Sequence, residues 1–206
     1  MCEHPGELTL TDSEQVAQPR CEVDLAAYSP GDFERGASAV KEAAWVLVRT
    51  VFFEQWPFKA YRVKRFLLRL FGAKVGSGVV VKPGVMITFP WKLELGNNVW
   101  LGEDCWLLNL ATITIADNVC ISQRAMLCTG NHNYNSPSFD LKVSPIAVER
   151  GAWIAANAFV GPGVTVGSHA VLCAGSVTSG NLDAHSVYSG IPAQKTGKRN
   201  ITPSSR

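Results

Sequence analysis

Histidine is the side chain best suited to moving a proton near neutral pH, and this sequence holds four: His4, His132, His169 and His185. His132 differs from the others in its surroundings, Thr129-Gly-Asn-His-Asn-Tyr-Asn-Ser-Pro-Ser-Phe139. Gly, Asn, Ser and Pro at that density mark an irregular excursion of the chain. Excursions from a rigid scaffold are where binding and catalysis concentrate. An imidazole there has the basicity to take a proton from a hydroxyl. For an isolated histidine, ordinary hydrogen bonding in a loop would be the better reading. His4 sits in an acidic arm, His169 in a Gly-Ser-His-Ala corner and His185 in a terminal turn, and these are expected to face solvent. The six cysteines, Cys2, Cys21, Cys105, Cys120, Cys128 and Cys173, include no Cys-x-x-Cys pair. A zinc ribbon or thioredoxin-type motif is therefore excluded, and reduced thiols in a cytosolic protein are the better reading.

The elements that must hold His132 emerge from a repeat. From Val75 the steps run to Val81 and Ile87, then Leu95, Leu101 and Leu107, then Ile115, Ile121 and Leu127. After a break come Val148, Ile154, Val160, Val166 and Leu172. Two residues before these stand Ala73, Val79, Val85, Val99, Cys105, Val119, Ala125, Ala152, Ala158, Val164 and Ala170, all small or β-branched. A period of six with one aliphatic and one small residue describes a short strand, a tight turn and a new wall. Three walls close one triangular coil. Stacked coils pair as parallel strands and bury a shared aliphatic column that no single coil could bury alone. The eight-residue steps put a two-residue insertion at one corner of successive coils. Helical crossovers of a conventional parallel sheet are absent. The repeat breaks once, between Leu127 and Val148, around His132.

The rest of the chain frames this body. Residues 1–36 carry a net charge of −6, residues 37–74 a net +6 and the remainder +2. That balance excludes a general nucleic-acid coat. The first 36 residues are polar and acidic and predict no secretory signal. The longest apolar run, Ala43 to Val48, is far too short to span a membrane. Val40, Ala44, Leu47, Val48, Val51 and Phe52 recur at helical spacing and predict one apolar stripe. Pro57 suits the first turn of a second helix, which runs from Lys59 to Arg69 and stops at Gly72. The expected domains are an irregular arm (1–36), a helical preface or cap (37–73), the repeat body (74–180) with a functional loop at 129–147, and a C-terminal extension (181–206).

The hexads resemble those of the hexapeptide-repeat acyltransferases. The run Phe66 to Lys74, the Pro90-Trp-Lys-Leu93 step and Leu127 to Pro137 are similar to the colanic-acid-type branch, acetyltransferases of exopolysaccharide synthesis. The resemblance implies an all-β body, a left-handed parallel β-helix of hexapeptide repeats preceded by a short helical segment. It implies an acetyl-CoA-dependent O-acyltransferase that moves acetyl to a hydroxyl of a saccharide or glycoconjugate acceptor, with His132 as general base and no metal. Relatives often place a carboxylate after this histidine, where the sequence has Asn133, so the ring must be oriented by another carboxylate or by a backbone carbonyl. The resemblance also implies acceptor contacts at Asn109, Asn131 and Trp153. The simpler readings are a corner asparagine relieving turn strain for Asn109 and a surface-packing indole for Trp153. It implies a coenzyme groove at Ala156, Ala174 and Ser179, with Lys195 and Lys198 near the phosphates. It implies a homotrimer working in the cytoplasm, on a saccharide or on a small free sugar. The alternative is a non-catalytic β-helix scaffold. The basic helix has three readings: a cap on the open end of the coils, which is favoured; a contact with the inner face of an anionic membrane; or a solvated face.

Overall fold

The structure is a computed structural model that describes residues 22–54 and 60–202. His4, Cys2, Cys21, Pro57 and Lys59 lie outside these residues.

The repeat folds into a parallel β-helix with three walls. Wall one stacks Lys74–Val75, Leu93–Leu95, Ile113–Ile115, Ile146–Val148 and Thr165–Val166. Wall two stacks Val80–Val81, Trp100–Leu101, Cys120–Ile121, Trp153–Ile154 and Val171–Leu172, and ends in the antiparallel pair Ser186–Gly190 and Ala193–Lys198. Wall three stacks Met86–Ile87, Trp106–Leu108, Met126–Cys128, Phe159–Val160 and Val177–Thr178. The aliphatics of the repeat fill the interior column, and all except Val75 are buried. The small residues two positions earlier are buried beside them. Register survives the break, because Ile146–Val148 pairs directly with Ile113–Ile115.

The corners explain the tightness of the turns. Three residues before a column residue, the backbone enters the left-handed region at Asn98, Asp104, Asn118, Arg124, Asn157, His169 and His185. Asn and Asp tolerate this conformation better than other non-glycine residues. Gly78 and Gly84 take the same slot in the first coil, at φ of 67° and 75°.

Helix α1 (Ala39–Arg49) starts at Ser38, whose hydroxyl accepts from the backbone N–H of Lys41, satisfying one of the unpaired first-turn donors. It passes into a π-helical turn, Thr50–Glu54. Helix α2 (Tyr61–Leu70) follows and meets the exposed edge of the first coil. An edge presents unpaired carbonyls, and the cations of α2 satisfy them. Lys64 Nζ donates to the Lys82 carbonyl (3.1 Å), Arg65 Nη1 to Val79 (2.7 Å) and Arg69 Nη2 to Val75 (2.7 Å) and Gly76 (2.9 Å). Trp45 plugs the column end, meets Phe53 edge-on and Phe71 at a tilt, and donates its indole N–H to the Ile87 carbonyl.

These helices correct one expectation. Of the predicted stripe, Val48 and Phe52 pack against the core while Val40, Ala44, Leu47 and Val51 are exposed, and the fully buried residues are Trp45 and Phe53. The large indole with its carbonyl partner fills the end of the column better than the smaller aliphatics of the stripe. On α2 the fully buried residues are Lys64, whose ammonium meets a carbonyl of the coil edge, and Leu68, which packs in the core with Leu67 and Phe71 beside it.

Candidate active site

The loop that breaks the repeat is more ordered than its composition predicts. It forms an antiparallel hairpin, Gly130–His132 against Leu141–Val143, with His132 opposite Leu141. The chain reaches it from wall three and returns to wall one. Thr129, fully buried, fastens its base: its hydroxyl donates to the Leu108 carbonyl and accepts from the Ala111 N–H, at 2.8 and 2.9 Å.

His132 is half-buried, and its Nδ1 lies 2.9 Å from the Phe139 carbonyl oxygen. A carbonyl can only accept, so Nδ1 carries the proton and donates it. The neutral ring then has its lone pair on Nε2. Phe139 does more than supply the carbonyl. Its ring stacks on the imidazole at 4.4 Å and 10°. Both contacts depend on a backbone φ of 49° at Phe139, a conformation rare for an aromatic residue and typical of functional loops. Sequence reasoning missed Phe139, because nothing in a single sequence marks a phenylalanine for the left-handed region.

The N-terminal arm also reaches this hairpin. The Asp24 N–H donates to the Pro137 carbonyl at 2.8 Å, and the Tyr28 ring lies 6.1 Å from the His132 ring. Lys92 ties the arm to the body by donating to the carbonyls of Glu34 and Leu110. Burial lowers the Lys92 pKa.

The remaining candidates are dispersed. Asn131 is exposed, and its side-chain oxygen accepts from the His132 N–H at 2.8 Å. Asn109 is fully buried. Its oxygen accepts from the N–H groups of Thr88 (3.0 Å) and Phe89 (2.9 Å), and its amide donates to the carbonyls of Phe89 (2.6 Å) and Lys92 (3.3 Å). Such a residue holds the corner at 88–92 together, and its polar atoms are committed to backbone, not to an acceptor. His169 is half-buried, stacked on His185 at 4.9 Å, rather than fully exposed.

Trp153 lies on the outer face of wall two, and its indole N–H donates to Ser122 Oγ at 2.9 Å. It lines a groove of ≈ 470 Å³ with Trp100, Glu103, Cys120, Gln123 and Arg199. His132 does not line this groove. Ala156 and Ala174 occupy the same corner of successive coils, linked where the Gly175 N–H donates to the Ala156 carbonyl. Ser179 lines a smaller hollow of ≈ 220 Å³ with Tyr188 and Gln194. Lys195 pairs with Asp183 at 2.9 Å, a hydrogen bond that raises the lysine pKa and lowers that of the aspartate. Lys198 is exposed at the end of the last strand. Among the described residues, no group of three or more His, Cys, Asp or Glu is placed to hold a metal ion.

No family model matches the chain. The hexapeptide-repeat containing acetyltransferase VCA0836 from Vibrio cholerae superposes with a TM-score of 0.70 at 25% identity, over 80% of this chain and 96% of that one. Its complex with acetyl coenzyme A gives 0.72 at 24% identity, over 81% and 92%, a likeness of fold. A protein of Escherichia coli (strain K12) that carries the name colanic acid biosynthesis acetyltransferase WcaF is 43% identical over 170 residues, 82% of this chain and 93% of the relative. The chain belongs to the hexapeptide-repeat acetyltransferases, with the left-handed parallel β-helix of that family. Within the family its resemblance is to the colanic acid branch.

Proposed function

We propose that this protein moves an acetyl group from acetyl-CoA to a hydroxyl of a saccharide acceptor in exopolysaccharide or cell-surface glycan synthesis, with His132 as general base. The observation that carries the reading is the Nδ1 contact to the Phe139 carbonyl, because it leaves Nε2 as the basic nitrogen. Nε2 takes the hydroxyl proton as the acceptor oxygen attacks the thioester carbonyl carbon. The developing oxyanion calls for an N–H donor. The tetrahedral intermediate then expels the thiolate, and the imidazolium returns the proton to sulfur. The products are the acetyl ester and free CoA thiol.

A trimer suits this chemistry. In a single chain His132 and the groove of Trp153 line different surfaces, so the base of one copy would serve coenzyme held along Ala156, Ala174 and Ser179 of its neighbour, with Lys195 and Lys198 near the phosphates. The acetyl coenzyme A complex of the Vibrio cholerae neighbour supports the donor. The name galactoside O-acetyltransferase of a 28% identical Escherichia coli relative supports a sugar acceptor. The described cysteines are all free, in keeping with a cytoplasmic setting. A thiol-release assay with acetyl-CoA against a panel of saccharides tests this. Release that depends on one class of acceptor is expected. Failure to bind CoA at all would return the molecule to a scaffold.

A further inference from the structure

The two cap helices carry apolar residues on both faces: Trp45, Val48, Leu67 and Leu68 meet the core, and a second set faces outward. On α2 the fully buried positions are Lys64 and Leu68, while Arg62, Val63, Phe66, Arg69 and Leu70 are exposed. Those five residues fall on one helical face, at i, i+1, i+4, i+7 and i+8. Phe66 is 62% exposed and Leu70 64%. On α1 and the turn after it, Val40, Ala43, Ala44, Leu47 and Val51 are exposed at i, i+3, i+4, i+7 and i+11. That stripe contains no charged residue, and Val40 is 80% exposed and Leu47 67%. Apolar residues scattered singly on a surface need no explanation. Ordered stripes on two successive helices indicate a contact surface.

Charge selects the occupant. Residues 37–74 carry eight basic and two acidic side chains. Both acids are neutralised within the chain, Glu42 by Arg35 at 2.6 Å and Glu54 by Arg49 at 2.8 Å. Arg62 stands on the same face as Phe66 and Leu70, while Arg69 at its end commits its guanidinium to the Val75 and Gly76 carbonyls. Against a second copy of this face, arginines would meet arginines. Against anionic headgroups they are matched, while the apolar side chains enter the headgroup and acyl boundary. The helices span 11 and 10 residues, too short to cross a bilayer, so they would lie along it.

We propose that the outward faces of α1 and α2 dock the protein onto the surface of an anionic lipid bilayer. The basic character of α2 thereby serves two purposes: Lys64, Arg65 and Arg69 hold the coil edge, and Arg62 meets the lipid. Docking is independent of acetyl transfer, so thiol release in lipid-free solution separates failure of one from failure of the other.

The test is co-sedimentation of the full chain with vesicles of phosphatidylcholine alone and of an equimolar mixture with phosphatidylglycerol. Binding to the mixed vesicles, weakened by added salt, is expected. The double variant Phe66→Ser, Leu70→Ser should bind about tenfold more weakly or worse, and Arg62→Gln should also lose affinity. These side chains are exposed, so an unchanged thermal melt shows that the variants fold. Equal sedimentation of wild type and double variant overturns the proposal, as does no sedimentation with either vesicle. A drop in the oligomeric mass of the double variant without lipid also overturns it, by assigning the face to a second copy.

Discussion

His132 keeps one nitrogen occupied so that the other stays available. The Phe139 carbonyl fixes the tautomer, which in other sites falls to a carboxylate. A carbonyl carries no full charge, so it orients the imidazole without holding the proton there as strongly as a carboxylate would. The stacked Phe139 ring limits rotation. Phe139→Ala keeps the carbonyl and removes the ring. Stacking of this kind is worth about 0.5–1.5 kcal/mol, so kcat should fall by about tenfold or less, measured by thiol release. A loss as large as that from removing His132 would show that the ring does more than steady the base. At the residue scale the sequence identified the histidine through its loop. The carbonyl partner was not legible, because it depends on one backbone angle at Phe139.

The elements show where sequence patterning succeeds and where it inverts. Each column residue was legible because a six-residue period admits one burial register. The inward place of Lys64 was not, because α2 meets carbonyls at the coil edge, and cations satisfy carbonyls where aliphatics cannot. Lys64 illustrates the consequence. Burial lowers its pKa from 10.5 to about 8. The unfolded chain therefore binds more protons between those values, and stability should rise with pH across that window. Chemical denaturation of wild type and Lys64→Met at pH values on both sides of the window should show this rise in the wild type and its absence in the variant. An identical pH dependence would mean that Lys64 is charged and hydrated in the folded state. The corner at 88–92 makes a second prediction. Asn109→Ala strands buried backbone donors and acceptors, which costs about 2–3 kcal/mol, read from urea unfolding. The acceptor KM should not change. Reduced stability together with a raised KM would put Asn109 back in the acceptor site.

The whole molecule divides its charges by task. The nearly neutral body needs few charges, because its column consumes aliphatics and its corners use Asn, Asp and Gly. The basic segment closes one end of the column. The acidic arm had no assignable role in the sequence, and the structure brings its last part, from Asp24 to Arg35, against the hairpin of His132 and the corner of Lys92. Scaffold and arm thus meet at the hairpin that carries the imidazole, while the cap closes the far end of the column. The most direct test measures acetyl-CoA-dependent thiol release, with a saccharide acceptor that the wild type uses, in His132→Ala protein shown by its thermal melt to be folded. The account predicts a loss of about 10²- to 10⁴-fold in kcat, the usual contribution of a positioned general base. Full acetyl transfer by the folded variant would contradict it and require a different base.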